Sequence, residues 1–184
     1  LFLERELPPL VEHQLSDFLN RPVKVGKLER ISFNGVRFGA SQILATPKDP
    51  ANASAAATEV SFDWLSLLFY RKLKLDVTLS GADVYLQQGK KQRWLLVELS
   101  ELPSDPFEVQ LNTVKLQNAS VILHGRHSNH QLKQPVKTFI ASGKLRIDHQ
   151  QQRGEFQLQG NLESGGKFQI SGVNHFNATR TGLA

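Results

Sequence analysis

The sequence contains neither cysteine nor methionine. The lack of thiols excludes a disulfide framework and a thiolate metal site, and it suits an exported bacterial protein. The lack of an initiator residue points to a processed product or a piece excised from a longer chain, whose ends need not be natural boundaries. Runs of about 18 apolar residues are also missing, so nothing reads as a bilayer-spanning helix. Leu1-Phe2-Leu3 is either the last turn of an anchor removed upstream or an ordinary helix start. Net charge is only +5 over 184 residues and is spread along the chain, which permits weak attraction to anionic lipid or nucleic acid and demands neither. Gly-rich phosphate loops, nucleophile elbows and suggestively spaced carboxylate pairs are absent from the sequence. No enzymatic activity and no cofactor are expected.

What is present is alternation. From Lys72 to Gln87, KLKLDVTLSGADVYLQ places Leu73, Leu75, Val77 and Leu79 on one strand face. After Gly81-Ala82 the apolar positions shift to Val84 and Leu86, as a β-bulge requires. The figure returns from Val114 to His124 as VKLQNASVILH, offset by 37 residues from Val77, with Asn118-Ala119 where Gly81-Ala82 stood. Two copies of one bulged strand make a repeat unit, and the break is where the sheet should bend and curl its apolar face inward.

Before the first copy, Pro8-Pro9 can begin a helix, with Val11, Leu15, Phe18 and Leu19 as its apolar stripe and Asn20 and Pro22 as its stop. From Val23 the period becomes 2, and Asn34-Gly35 reads as a hairpin turn between Ile31-Ser32-Phe33 and Val36-Arg37-Phe38, with alternation continuing toward Ile43. Thr46 to Ala53 reads as a loop, and Ala53 to Phe62 as a further strand. Asp63 looks like the N-cap of a short helix, Trp64 to Tyr70, suited to plugging an apolar opening. A polar turn at Gly89 to Gln92 and a loop or helical insertion at Leu95 to Leu102 separate the two repeat copies. Phe139 to Ile147 is a half-buried strand, followed by strands around Phe156 to Leu162 and Phe168 to Ile170, with a turn at Ser164-Gly165-Gly166. Asn174 to Ala184 has no evident partner.

The expected fold is therefore mostly β, a long antiparallel meander of about nine strands with one apolar face, an N-terminal helix over 1–21 and one or two short helices. The pattern alone favours a sandwich or barrel core. Long strands and sparse helix allow another solution, a single curved sheet that forms an open hydrophobic groove over 22–184.

The run from Leu15 to Ser32, LSDFLNRPVKVGKLERIS, resembles the start of the TamB proteins and the wider AsmA-like group, particularly cyanobacterial and chloroplast members. There a helix ends in a phrase like Arg21-Pro22-Val23-Lys24-Val25-Gly26 and leads into the first strand. Ala53 to Leu86, with Trp64-Leu65-Ser66-Leu67-Leu68 and Leu75-Asp76-Val77-Thr78-Leu79, follows in the family's order, and Gly89 to Trp94 matches its next turn. The resemblance covers roughly residues 10 to 180, and its specificity lies in the order of the phrases.

It implies a periplasmic groove protein anchored in the inner membrane through a segment upstream of this chain, or in the chloroplast envelope intermembrane space if from a plant. It also implies transport of phospholipid toward the outer membrane, in cooperation with an outer-membrane barrel protein through a C-terminal region beyond this chain. On that reading the lipid-binding groove is lined by Val77, Leu79, Val84, Leu86, Val114, Leu116, Val121, Leu123, Leu145, Ile147, Phe156, Leu158, Phe168 and Ile170. The competing expectation is a structural β-repeat scaffold, assisting outer-membrane protein assembly or translocation, in which the same residues form a closed core.

Other motifs carry less. His124, His127 and His130 recur every third residue, but strand geometry turns them to alternating faces, so no metal site is expected. Asn52, Asn118 and Asn177 begin glycosylation-type triplets, which mean nothing in a bacterial protein. The basic groups Lys90, Lys91, Arg93 and Arg71, Lys72, Lys74 read as solvated faces, with contact to anionic head groups as the functional alternative. Tyr85 is nearly the only aromatic on the polar face, so no nucleic acid partner is expected.

Overall fold

The computed structural model describes residues 8–9, 11–13, 15–17, 20–88, 108–126, 134–148, 150–151 and 153–175. The Gly89–Trp94 turn, the Leu95–Leu102 insertion, His127, His130, the basic group at 90–93 and residues after His175 lie outside that set.

Residues 8–9, 11–13 and 15–17 are helical, in agreement with the sequence. The helix stops as Asn20 takes a left-handed φ of 49°, with the Asn20 amide donating to the Asp17 carbonyl and the Arg21 amide to the Ser16 carbonyl. This pair of bonds is the Schellman arrangement, and Asn is among the residues that tolerate its left-handed position.

All ten strands among the described residues belong to one sheet. They are β1 (Val23–Lys24), β2 (Leu28–Ser32), β3 (Gly35–Phe38), β4 (Ser41–Ile43), β5 (Asn52–Phe62), β6 (Lys72–Gln87), β7 (Glu108–His124), β8 (Val136–Asp148), β9 (Arg153–Leu162) and β10 (Lys167–His175). The main path runs β1-β4-β5-β6-β7-β8-β9-β10, with β2 and β3 attached beside β5. β1 and β10 do not pair with each other, so the sheet is open and not a barrel.

Several sequence expectations need correction, among them that Asn174 and His175 lack a partner, since they pair with Gly154 and Arg153. The sheet is mixed, because β6 and β7 pair in parallel. A parallel neighbour needs a crossover of roughly a dozen residues or more, and residues 88–107 lie between these strands. The stretch from Val23 is two strands: β1 pairs with β4, while β2 pairs with β3. The first hairpin turns at Phe33-Asn34 instead of Asn34-Gly35, because Gly35 pairs with both Ser32 and Ser61 and so belongs to β3.

The parallel pair explains the repeat. Val77 lies beside Val114, Leu79 beside Leu116, Val84 beside Val121 and Leu86 beside Leu123, so the sequence offset is the register of the ladder. A copy translated sideways in parallel sets break against break. Gly81 (φ 58°) and Asn118 (φ 53°) both sit left-handed within their strands, and Ser80 Oγ lies 3.4 Å from Gln117 Oε1 beside them. Just before the repeat, β7 carries an extra residue, Asn112, whose Nδ2 donates to Asp76 Oδ1 at 2.9 Å.

The strain at Asn118 is testable. Asn118→Val puts a β-branched side chain in a left-handed conformation and is expected to lower the unfolding free energy by about 2 kcal/mol. Asn118→Gly is expected not to lower it. Urea titration of both variants, with unchanged slope, is the check.

Asp63 does cap the short helix Trp64–Tyr70, accepting from the Leu65 amide at 3.0 Å. With seven residues the helix is only about 10 Å long, it packs against β6, and Leu65, Leu68, Phe69 and Tyr70 stay exposed.

Candidate functional site

Directly opposed residues on neighbouring strands share a sheet face, so the registers trace which side chains line up across the sheet. One row reads Val60, Val77, Val114, Leu145, Phe156, Gly172 from β5 to β10. The next reads Phe38, Thr58, Leu79, Leu116, Gly143, Leu158, Ile170. Beyond the phase break come Ile43, Ala53, Val84, Val121, Thr138, Leu162, and then Leu86, Leu123, Val136. The opposite face carries Glu59, Thr78, Lys115, Lys144, Gln157 and Ser171 in one such row. The amphipathic alternation of the sequence has become a two-faced sheet.

All fourteen residues assigned to the groove from sequence fall on the apolar face. They are not buried as a closed core would bury them. Val121 is buried, Leu145 and Ile170 are 36% and 50% exposed, and the rest are half-buried even on the central strands β6 and β7. The face also includes residues that sequence reasoning left out, among them Val60, Ile43, Val136 and Leu162. For Val60 the signal was available in the alternation with Phe62. Phe38, the largest fully buried side chain among the described residues, sits on the same face at the β3–β5 side.

The core proper is a narrow crease. Ala55 pairs with Ala82, Ala119 with Ile140 and Ile140 with Gly160, while Ala82 and Ala119 hold equivalent places in the two repeat copies. Ala55, Ala82, Ala119, Val121 and Ile140 form the buried cluster. Leu79 and Leu116 pack on it from one side of the break, Val84 and Leu123 from the other. Most of the cluster consists of small side chains, and it lies where Gly81 and Asn118 take left-handed φ values. The ends of the rows stay open.

A second feature, not anticipated from sequence, closes one edge of this sheet. The outer amides of β1 and its continuation are taken by side chains of the N-terminal helical segment: Val23 N–H donates to Ser16 Oγ at 3.0 Å, and Val25 N–H to Glu12 Oε1 at 2.9 Å. An unpaired edge strand is a template for pairing with other chains, and covering it removes that hazard. Arg21, at the hinge between helix and strand, is buried and anchors the arrangement. Its guanidinium donates to Asp49 Oδ2 at 2.6 Å and to the carbonyls of Leu44 and Ala51 at 2.9 and 2.6 Å.

His124 does not stand free as a ligand. Its Nδ1 lies 3.1 Å from the Tyr85 hydroxyl, which is also 2.9 Å from Gln87 Oε1. The site as a whole offers an extended apolar surface flanked by polar strand edges. Nonspecific shelter for hydrocarbon is the chemistry available to it.

Compared with known proteins, the chain matches no family model and no curated protein.

Proposed function

We propose that the open apolar face is a lipid-binding groove that shelters phospholipid acyl chains outside a membrane. The observation that carries this reading is the incomplete burial of an apolar face running unbroken from β5 to β10 in a sheet that does not close. Each acyl methylene removed from water is worth about 0.8 kcal/mol, so even partial shelter stabilises a lipid tail substantially. Burial is non-directional, so tails slide along such a surface past small barriers while head groups remain in water at the rim. The TamB-like phrases from Leu15 to Leu86 support the same reading and extend it. The chain is then a segment of a periplasmic bridge between inner and outer membranes, anchored at the inner one and joined to a barrel partner at the outer one.

Organic extraction of the purified protein followed by mass spectrometry is the test. Phospholipid is expected in the extract of the native protein. Leu145→Asp combined with Ile170→Asp is expected to leave the sheet folded, because both positions are exposed, and to lower the lipid recovered several-fold, because a carboxylate against acyl chains is costly. Protein that is consistently empty, with the same double variant unfolded, would identify a closed scaffold core instead.

A further inference from the structure

The short helix Trp64–Tyr70 carries an exposed apolar stripe. Leu65, Leu68 and Phe69 stand at i, i+3 and i+4, one helix face, and are 66%, 76% and 70% exposed; Tyr70 beside them is 72% exposed. A helix of a soluble protein ordinarily turns that stripe toward its core. The stripe is not isolated. Phe62 N–H donates to the Asn34 carbonyl, which places the Phe33-Asn34 turn at the same end of the sheet, and Phe33 is 84% exposed there.

Basic residues follow the helix directly. Arg71 and Lys74 are exposed; the acidic groups around them are Asp63, whose amide donates to the Lys74 carbonyl and whose carboxylate caps the far end of the helix, Glu108, which pairs with Lys72 in the ladder, and Asp76, two residues beyond Lys74. Arg71 also carries a local cost. It occupies the left-handed position after the helix, at a φ of 53°, where glycine is the ordinary choice. A cationic side chain held at a position that favours glycine indicates that the charge itself has a use.

From these observations we infer that this end of the sheet docks on an anionic lipid bilayer surface. Leu65, Leu68, Phe69 and Phe33 enter the interfacial region, Tyr70 lies at the head-group level, and Arg71 and Lys74 meet anionic head groups. A convex apolar knob with an aromatic and basic margin matches an interface that is apolar beneath and negatively charged above. The inference stands on its own residues and goes beyond the groove reading, since it concerns how one end of the sheet meets a membrane and not what the face holds.

Vesicle flotation of the full chain tests it, using phosphatidylcholine vesicles with and without about one-third phosphatidylglycerol. The native protein is expected to float with the anionic vesicles, less with the neutral ones, and less as salt rises. Leu68→Asp with Phe69→Asp is expected to weaken binding about tenfold or more without lowering the melting temperature, both side chains being exposed. Arg71→Gly gives a signature that a purely structural role does not: the melting temperature rises by about 2 °C while binding to anionic vesicles falls a few-fold. Failure to float at any composition, or binding indifferent to all three substitutions, overturns the inference. Self-association abolished by Leu68→Asp and Phe69→Asp, without vesicle binding, overturns it as well and assigns the knob to a second copy. Phospholipid recovered from the groove is unaffected by these substitutions, so the two readings fail separately.

Discussion

Arg21→Ala is expected to lower the unfolding free energy by about 3–5 kcal/mol, because it removes one partner of a buried charge pair and leaves the rest in place. The Arg21 side chain is 6% exposed and its neighbour Asp49 is 24% exposed. With arginine gone, the carbonyls of Leu44 and Ala51 lose their donors, and the Asp49 carboxylate keeps only the bond from the Ala51 amide at 2.9 Å. Ala51 is fully buried, so water cannot simply take the vacated place at its carbonyl. Part of the loss is offset, since the Arg21 Nε–H is itself buried and without a partner among the described residues. Arg21→Lys keeps the charge but is a single point, unable to fork between a carboxylate and two carbonyls, and is expected to recover less than half of the loss. Guanidinium denaturation gives the magnitude. Hydrogen exchange gives the location: protection should fall first at Val23, Val25 and the β4–β5 region, where helix and edge strand part.

The contrast between Arg21 and the repeat shows what kind of information a sequence carries. The repeat was legible because like side chains stack on like across β6 and β7, and the offset between Val77 and Val114 survives as their register. The direction of the pairing was not, since the alternation of Leu75, Val77 and Leu79 reads the same from either end and is indifferent to whether a neighbour runs with it or against it. The phase break was legible as well, and Gly81 and Asn118 adopt the left-handed conformations that it calls for. Arg21 had no pattern to announce it. Its partners are a carboxylate at Asp49 and backbone carbonyls at Leu44 and Ala51, and carbonyls leave no trace in residue types. The helix at Trp64–Tyr70 was predicted from its cap, but its exposed stripe was not, because alternation and helical spacing identify which residues share a face without saying what lies against it. The same limit applied to the apolar sheet face: its membership was legible, its openness was not.

Openness depends on the crease, and the crease depends most sharply on Gly160. This residue pairs with Ile140, next to the point where β8 slips register by one residue around Ala141. A Cβ at position 160 would collide with the Phe139 carbonyl oxygen and would lie 2.9 Å from its carbonyl carbon and 3.0 Å from Ile140 Cα. All three atoms are backbone, so no rotamer change relieves them; β8 and β9 must separate locally, with loss of ladder bonds beside the bulge. Gly160→Ala is therefore expected to lower the unfolding free energy by about 3–5 kcal/mol, at the upper end for a single methyl group. Two other glycines of the same face supply the control. At Gly143 the added carbon would lie 2.7 Å from Leu158 Cδ2, and at Gly172 it would lie 2.7 Å from the Phe156 ring, both side chains with room to move on a half-buried face. Alanine at either is expected to cost about 1 kcal/mol. Equal effects at all three positions would mean that the face is packed as tightly as a closed core. A large effect at 160 alone places the rigidity in the crease and leaves the rest of the face free to yield to whatever lies on it, which is the mechanical condition for a surface that shelters chains of varied length.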